Sequence, residues 1–211
     1  MQPFDAILFD IGGVLLTNGW DHNERDSIFT RFAIDPDEYL ARQSAMYEAW
    51  DLGKISAREF FDHTVFYTPR AFTYQQFWQA ILDCSQVLED GAMGILEEIA
   101  ASNICRDGKC LLGALNNEPR ETNQYRFEHF GLGRWLRVRL SSCYLGLHKP
   151  DPAYYHRAID ILGSEPQRIL FIDDRIANVD AARQAGMQAL LFEGSAKLRR
   201  ELEGLGVLAV K

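Results

Sequence analysis

Three shortages bound what this chain can be. No stretch of its 211 residues stays apolar over the roughly 18 to 20 positions that a membrane-spanning helix needs, so no membrane role is expected. Positive charge is in deficit, with 22 Lys and Arg against 30 Asp and Glu and a net charge of -8. A general nucleic-acid binder displaces counterions with a basic face, and this composition supplies none, so nucleic acid is not expected as a partner. Cysteine is scarce. Cys84, Cys105, Cys110 and Cys143 show neither C-x-x-C spacing nor a metal-ligand grouping, which leaves reduced, mostly buried thiols as the expectation. Repeats, low-complexity tracts and linker-like composition are missing too. The N-terminus enters a strand-like run at once, without the charged and apolar regions of a signal peptide, and a cytoplasmic protein is expected.

What the chain does have is a regular alternation. The runs "AILFD" (6–10), "CLLGAL" (110–115), "RVRLSS" (137–142), "RILFID" (168–173) and "ALLFE" (189–193) are near-continuously apolar and of strand length. Helical patterns with clear punctuation lie between the later ones. Asp151 stands at an N-cap, Pro152 at the first helical position and Gly163 past the end, while "NVDAARQAG" closes at Gly186. Strand and helix in alternation predict an α/β fold, a Rossmann-like, doubly wound parallel sheet covered on both faces.

The stretch 18–88 breaks that rhythm, being aromatic-rich and helical with no strand signal. "PDEYLARQSAMYEAWDLG" is amphipathic, and Ser56 with Glu59 and Thr73 with Gln76 have the spacing of capping boxes. The expected organisation is an α/β core made of 1–17 and 89–211, carrying a small helical bundle, 18–88, inserted after the first strand.

The acids can now be placed. Asp10 follows "AILF" and the pair Asp173-Asp174 follows "ILFI", each at the C-terminal end of a strand, and in an open parallel sheet that edge forms the ligand crevice. Taken singly, either is also an ordinary strand-end turn former. Together they predict three carboxylates crowded at one edge, which costs free energy unless a cation sits among them. Oxygen-only ligands suit Mg²⁺, which keeps waters and accepts phosphate oxygens.

At this point the sequence resembles the haloacid dehalogenase-like hydrolase superfamily, through four motifs in order along nearly the whole chain. "ILFDIGGVLL" resembles the first, with Asp10 as nucleophile. "LLGALNNE" resembles the second, with Asn116 where the family usually carries Ser or Thr and Asn117 after it. Lys149 in "LGLHKPDPAYY" matches the third, and "ILFIDDRIANVDAARQAGM" matches the fourth with Asp173, Asp174 and Asn178. The segment 18–88 resembles the helical cap of one subgroup, and "WDLGKISAREFF" its G-x-I-S/T stretch. Within the superfamily the chain looks closest to the branch holding glucose-1-phosphate phosphatase-like proteins and the N-terminal phosphatase domain of soluble epoxide hydrolase.

The resemblance implies a chemistry for each position. Asp10 would attack phosphorus in line, giving an aspartyl-phosphate that water hydrolyses. Mg²⁺ would be held by Asp10, the Gly12 carbonyl and Asp174, with Asp173 as an additional or outer ligand. Lys149 would bridge nucleophile and phosphoryl oxygen; Asn116 and Asn117 would complete the phosphate site; Asn178 would orient the metal-binding loop. Read alone, Lys149 is a surface lysine before a helix and the two asparagines a strand-to-helix turn.

One departure stands out. Most phosphatases of the family carry Asp two residues after the nucleophile, as acid and then base, and here that place is Gly12. General acid-base help accounts for about 10² to 10⁴-fold in rate, so its loss slows an enzyme without silencing it. Phosphates with good leaving groups, such as anomeric sugar phosphates, depend on it least. His22 and His148 are candidate substitutes. Glycine at 12 could equally answer to a left-handed backbone. The expected activity is a Mg²⁺-dependent phosphatase acting on a small phosphorylated metabolite. A catalytically weak phosphate- or partner-binding protein is the alternative, and less favoured still is a 2-haloacid dehalogenase, whose chemistry needs no metal and leaves the doubled acid unexplained. Trp20, Tyr47, Trp50 and Phe66 are candidates for the substrate-facing lining of the cap.

Overall fold

In the computed structural model, which describes residues 4–44, 46–102, 104 and 108–210, the five apolar runs form five strands: β1 (Ala6–Phe9), β2 (Leu111–Asn116), β3 (Val138–Ser141), β4 (Ile169–Asp173) and β5 (Gln188–Leu191). All pair parallel, in the order β3-β2-β1-β4-β5. The strands read as continuous apolar runs because both of their faces are buried. Ile7, Phe9, Leu112, Ala114, Leu170 and Ile172 point to one face, where α6 (Met93–Ala101) and α11 (Ser195–Gly204) pack, and α7 (Arg120–His129) contributes Phe127. Ala6, Leu8, Leu115, Ile169 and Phe171 point to the other, covered by α9 (Pro152–Leu162) and α10 (Ile176–Gln184). This is the doubly wound α/β sheet that the alternation predicts.

Between β1 and α6 the chain is helical: α1 (His22–Phe32), α2 (Pro36–Gln43), α3 (Tyr47–Asp51), α4 (Ala57–Thr64) and α5 (Tyr74–Asp83). Both expected capping boxes form, Ser56 with Glu59 opening α4 and Thr73 with Gln76 opening α5. The amphipathic stretch from Pro36 does not run as one helix but divides into α2 and α3. The reason lies in the cluster that these helices enclose. Tyr39 and Trp50, 11 positions apart, would lie about 16 Å apart along a straight helix, yet both rings meet Phe60, at 6.4 and 4.4 Å. The break brings them together around Phe60, Phe61 and Phe77, which have no exposed surface.

This helical segment leaves and rejoins the sheet side by side. Thr17 N donates to Gln86 O at 2.9 Å and Leu88 N to Leu15 O at 3.2 Å, so the two connections make a short ribbon. Arg126 on α7 ties that ribbon to the sheet. Its Nη2 donates to Thr17 O at 2.8 Å and its Nε to Ser85 Oγ at 3.0 Å, and its guanidinium pairs with Glu118 at 3.2 Å. The residue is only 2% exposed. It reaches the ribbon because Gly19 has φ 76° and a Cβ there would fall on the guanidinium.

Cys110 and Cys143 are buried and Cys84 half-buried, while Cys105 lies outside the described residues. Cys84 and Cys143 carry free thiols. Among the described residues no helix is long and apolar enough to cross a membrane.

Removing one member of a buried ion pair strands the other charge, at a cost of about 3–5 kcal/mol. Arg126→Met is therefore expected to destabilise the protein by about that amount in urea denaturation, and the double change with Glu118→Gln to recover most of the loss.

Candidate active site

β1 and β4 are neighbours, with Phe9 opposite Ile172, so the next residue of each strand comes to the same point of the sheet edge. Asp10 N donates to Ile172 O at 2.9 Å and continues the ladder by one step. Asp10 and Asp173 thus emerge together, and Lys149, from the loop before α9, lies between them. Its Nζ is 2.9 Å from Asp10 Oδ2 and 2.6 Å from Asp173 Oδ2. All three are buried, Asp10 at 8% exposure being the most open.

Two carboxylates sharing one ammonium in a dry place cannot all take their usual charge states. Burial pushes the Asp10 carboxyl up to about 7, with Lys149 opposing the shift and Asp173 adding to it. Burial presses on Asp173 in the same way, but Lys149, the Arg175 amide and Asn178 together hold it below the ordinary carboxylate value. Burial would strip the Lys149 proton, and the two acids outweigh it and raise the ammonium above its ordinary value.

Asp173 has no oxygen to spare. Oδ2 accepts from Lys149, Oδ1 accepts from Arg175 N at 2.8 Å, and Asn178 Nδ2 donates to both oxygens at 2.9 and 3.1 Å. Asp174 is the opposite case. Its Oδ1 is buried without a hydrogen-bond partner, and burial and Asp173 raise its carboxyl. Asp10, Asp173 and Asp174 each bring a carboxylate oxygen within 4.8 Å of the others. An all-oxygen cluster with one unsatisfied acceptor fits a hard divalent cation. Room for Asp174 comes from Gly13, which has φ 74° and whose Cβ would fall on that carboxylate. The left-handed glycine is therefore Gly13, and not Gly12 as the sequence allowed.

Gly12 and Asn117 line a cavity of about 410 Å³ that opens beside Asp10 and Lys149. Asn117 grips the lysine loop, donating from Nδ2 to Lys149 O and accepting from Lys149 N on Oδ1, each at 2.8 Å. Asn116 does not line the cavity. It ends β2, opposite Ser141, and its side chain is spent within the protein: Oδ1 accepts from Ser141 Oγ at 2.7 Å, and Nδ2 lies 3.3 Å from both Glu118 Oε2 and Asn123 Oδ1. The expectation that it donates to a phosphoryl group is corrected here, because the last side chain of β2, turned toward β3, gives its two amide hydrogens to Glu118 and Asn123. His22 is likewise corrected as a substitute acid: it is exposed on α1 with Arg25 Nη2 2.7 Å from its Nδ1. His148 is half-buried in the cavity wall, its Nδ1 3.1 Å from Lys149 O.

Trp20, Tyr47 and Trp50 line the cavity, and Phe66 does not, packing instead against Phe72, Tyr74 and Phe77. Trp50 Nε1 is buried without an acceptor. Charged residues to which the resemblance gives no role also line the space, among them Asp51 at the end of α3 and the pair Glu118 and Arg126. Glu118 follows the two asparagines directly, and Asp51 follows a core tryptophan. Either position was open to inspection, but only the fold brings them to Lys149.

The chain is similar to several known proteins. Flavin mononucleotide hydrolase 1 of Arabidopsis thaliana is 34% identical over 118 residues, 56% of this chain and 45% of the relative. The chain thus matches less than half the length of that protein. Validoxylamine A 7'-phosphate phosphatase of Streptomyces hygroscopicus subsp. limoneus is 24% identical over 188 residues, 87% of this chain and 83% of the relative. A HAD family enzyme from Bacteroides thetaiotaomicron, solved in complex with magnesium and inorganic phosphate, shares the fold with a TM-score of 0.74 at 17% identity, over 91% of this chain and 96% of that one. The family model described as "Hydrolase: haloacid dehalogenase-like hydrolase" matches residues 4–186, a span that holds both acid-bearing strand ends and the lysine loop between them, and the chain accordingly belongs to the haloacid dehalogenase-like hydrolases, a family of enzymes.

Proposed function

We propose that this hydrolase is a Mg²⁺-dependent phosphatase of small phosphate monoesters that works through an aspartyl-phosphate on Asp10. The observation that carries the reading is the meeting of Asp10, Lys149 and Asp173 beside an Asp174 oxygen that is buried and unpartnered. Two relatives support it in name, one a flavin mononucleotide hydrolase and one a validoxylamine A 7'-phosphate phosphatase. Displacement of halide from carbon needs no cation and would leave that oxygen without a use.

Each residue then has a task. Asp10 presents a carboxylate oxygen to phosphorus, and Lys149, 2.9 Å away, orients it and meets charge that develops on the phosphoryl oxygens. Asn117 holds the lysine loop in place. Asp173 keeps Lys149 charged, and Asn178 fixes Asp173. Asp10, the Gly12 carbonyl and Asp174 would hold Mg²⁺, with Asp173 outside because its oxygens are taken. When bound, Mg²⁺ supplies neutralisation of charge between the nucleophile and the phosphoryl oxygens. Helices α1–α5, within residues 18–88, act as the cap over a core of 1–17 and 89–211, and their wall of Trp20, Tyr47 and Trp50 receives the leaving group. The unpartnered Trp50 N–H favours a leaving group that carries an acceptor.

Removing the nucleophile tests the reading most directly. Asp10→Asn is expected to lower Mg²⁺-dependent turnover of p-nitrophenyl phosphate by about 10⁴-fold or more, with the melting curve preserved. Unchanged turnover by the purified variant would refute it. A separate measurement addresses the cation. Asp174→Asn is expected to weaken Mg²⁺ binding, read by calorimetry, by about 100-fold while the circular dichroism stays the same. Equal affinities would remove Asp174 from the site.

A further inference from the structure

Position 12 leaves the leaving oxygen without a proton donor, and the search for one can be made on geometry. In an in-line displacement the leaving oxygen lies on the far side of phosphorus from the nucleophile. Asp10 stands at the sheet edge, so that far side is the wall built by α1–α5 and the loops beneath them. Resting on the phosphatase reading, we propose that Asp51, the last residue of α3, gives its proton to the leaving oxygen and later takes one from the attacking water.

The other acids of the cavity are committed elsewhere. Burial pushes the Glu118 carboxyl up, but both of its oxygens are taken, Oε1 by Arg126 Nε at 3.2 Å and Oε2 by Arg126 Nη1 and Asn116 Nδ2. Asp21 caps α1 through His22 N and pairs with Arg175 at 2.8 Å. Glu48 is exposed. Asp51 is 8% exposed, and among the described residues no ion pair reaches its carboxyl.

Its position is fixed to the sheet and not only to its own helix. Ser142 opens α8 (Ser142–Leu145), and its Oγ donates to Asp51 O at 3.0 Å. The same oxygen accepts from Glu118 N at 2.8 Å. Glu118 adjoins Asn117, which grips Lys149 on both sides of its peptide. Two residues beyond Asp51, Gly53 has φ 67°, and a Cβ there would lie 2.5 Å from Cys143 O, so this turn sits flush on α8. A short chain of bonds therefore joins the end of α3 to the lysine that touches the nucleophile.

Burial pushes the Asp51 carboxyl up to about 6, Glu118 adding to the shift while His148, Ser142 and Lys149 oppose it. Tyr47 on its own helix, Cys143 and Tyr154 face it as well. A carboxyl so poised exchanges its proton near neutrality.

In the first step Asp10 bonds to phosphorus, the bond from phosphorus to the leaving oxygen breaks, and the Asp51 proton passes to that oxygen, releasing an alcohol and leaving Asp51 ionised. In the second, water bonds to phosphorus and Asp51 takes its proton. The bond from Asp10 to phosphorus breaks, and inorganic phosphate leaves with both carboxyl groups restored.

The test compares wild type with Asp51→Asn, both loaded with Mg²⁺, on p-nitrophenyl phosphate and on glycerol 2-phosphate. The nitrophenolate leaves without a proton and the alkoxide does not. Asp51→Asn is expected to lower kcat/KM, which reads only the first step, by about 10² to 10⁴-fold for glycerol 2-phosphate and by no more than about threefold for p-nitrophenyl phosphate, while kcat falls for both because the second step loses its base. An acid works only while protonated, so wild-type kcat/KM for the alkyl ester should fall as pH rises through about 6, and that fall should vanish in the variant. Carbon-13 NMR titration of the Asp51 carboxyl in wild type should show the matching midpoint without any turnover. Equal losses of kcat/KM on both substrates, or no loss on either, would overturn the proposal, with Mg²⁺ affinity and circular dichroism confirming that the variant is folded. A wild type inert on both substrates would overturn the phosphatase reading and this proposal with it.

Discussion

Lys149 is the charge on which the sheet edge depends. Parallel pairing of β1 with β4 forces Asp10 and Asp173 to emerge side by side, and burial of both without a cation would oppose the pairing itself. One ammonium within 2.9 Å of each removes that conflict. Its own position is then secured from two directions, by Asn117 on its backbone and by Asp173, which Asn178 and the Arg175 amide hold in turn. The compensation is incomplete, since three acids and one lysine leave two negative charges when all are ionised. That surplus and the unpartnered Asp174 oxygen are two expressions of one imbalance, which a divalent cation would cancel.

A second charged pair does for the helical segment what Lys149 does for the strands. Arg126 and Glu118 are both buried, and the guanidinium spends its remaining donors on Thr17 O and Ser85 Oγ, one from each connection of the segment. The loop after β2 belongs to both networks at once. Asn117 faces Lys149, and its neighbour Glu118 faces Arg126. Displacement of the helical segment is thereby coupled through adjacent residues to the lysine beside the nucleophile.

Much of this was legible in the sequence because it is local. Strand runs buried on both faces, capping boxes, the Asp151-Pro152 helix start and the acids at strand ends each follow from residues near one another. What was not legible depends on partners far along the chain. Asn116 is spent on Ser141, which only the register of β3 brings opposite it. Of the two adjacent glycines, the one required to be left-handed is decided by Asp174, 161 positions away. The division of α2 from α3 is set by Phe60, and Phe66, one aromatic among many at helical spacing, is claimed by Phe72 and Phe77. Asp51 lies within the stretch "WDLGKISAREFF" but outside its G-x-I-S/T positions, and only the hydroxyl of Ser142 marks its place.

The ribbon between residues 15–17 and 86–88 has an evolutionary consequence. A segment that departs and returns at adjacent points leaves strand order and register untouched, whatever its length or content. The sheet feels it through a few contacts, chiefly those of Arg126 and Ser142. The aromatic cluster can therefore drift, swapping one ring for another and reshaping the far wall of the cavity, while the strand-end carboxylates keep their spacing. Selection for a new leaving group thus has a part of the molecule on which to act apart from the carboxylates at the sheet edge, so long as the end of α3 keeps its seat on Ser142.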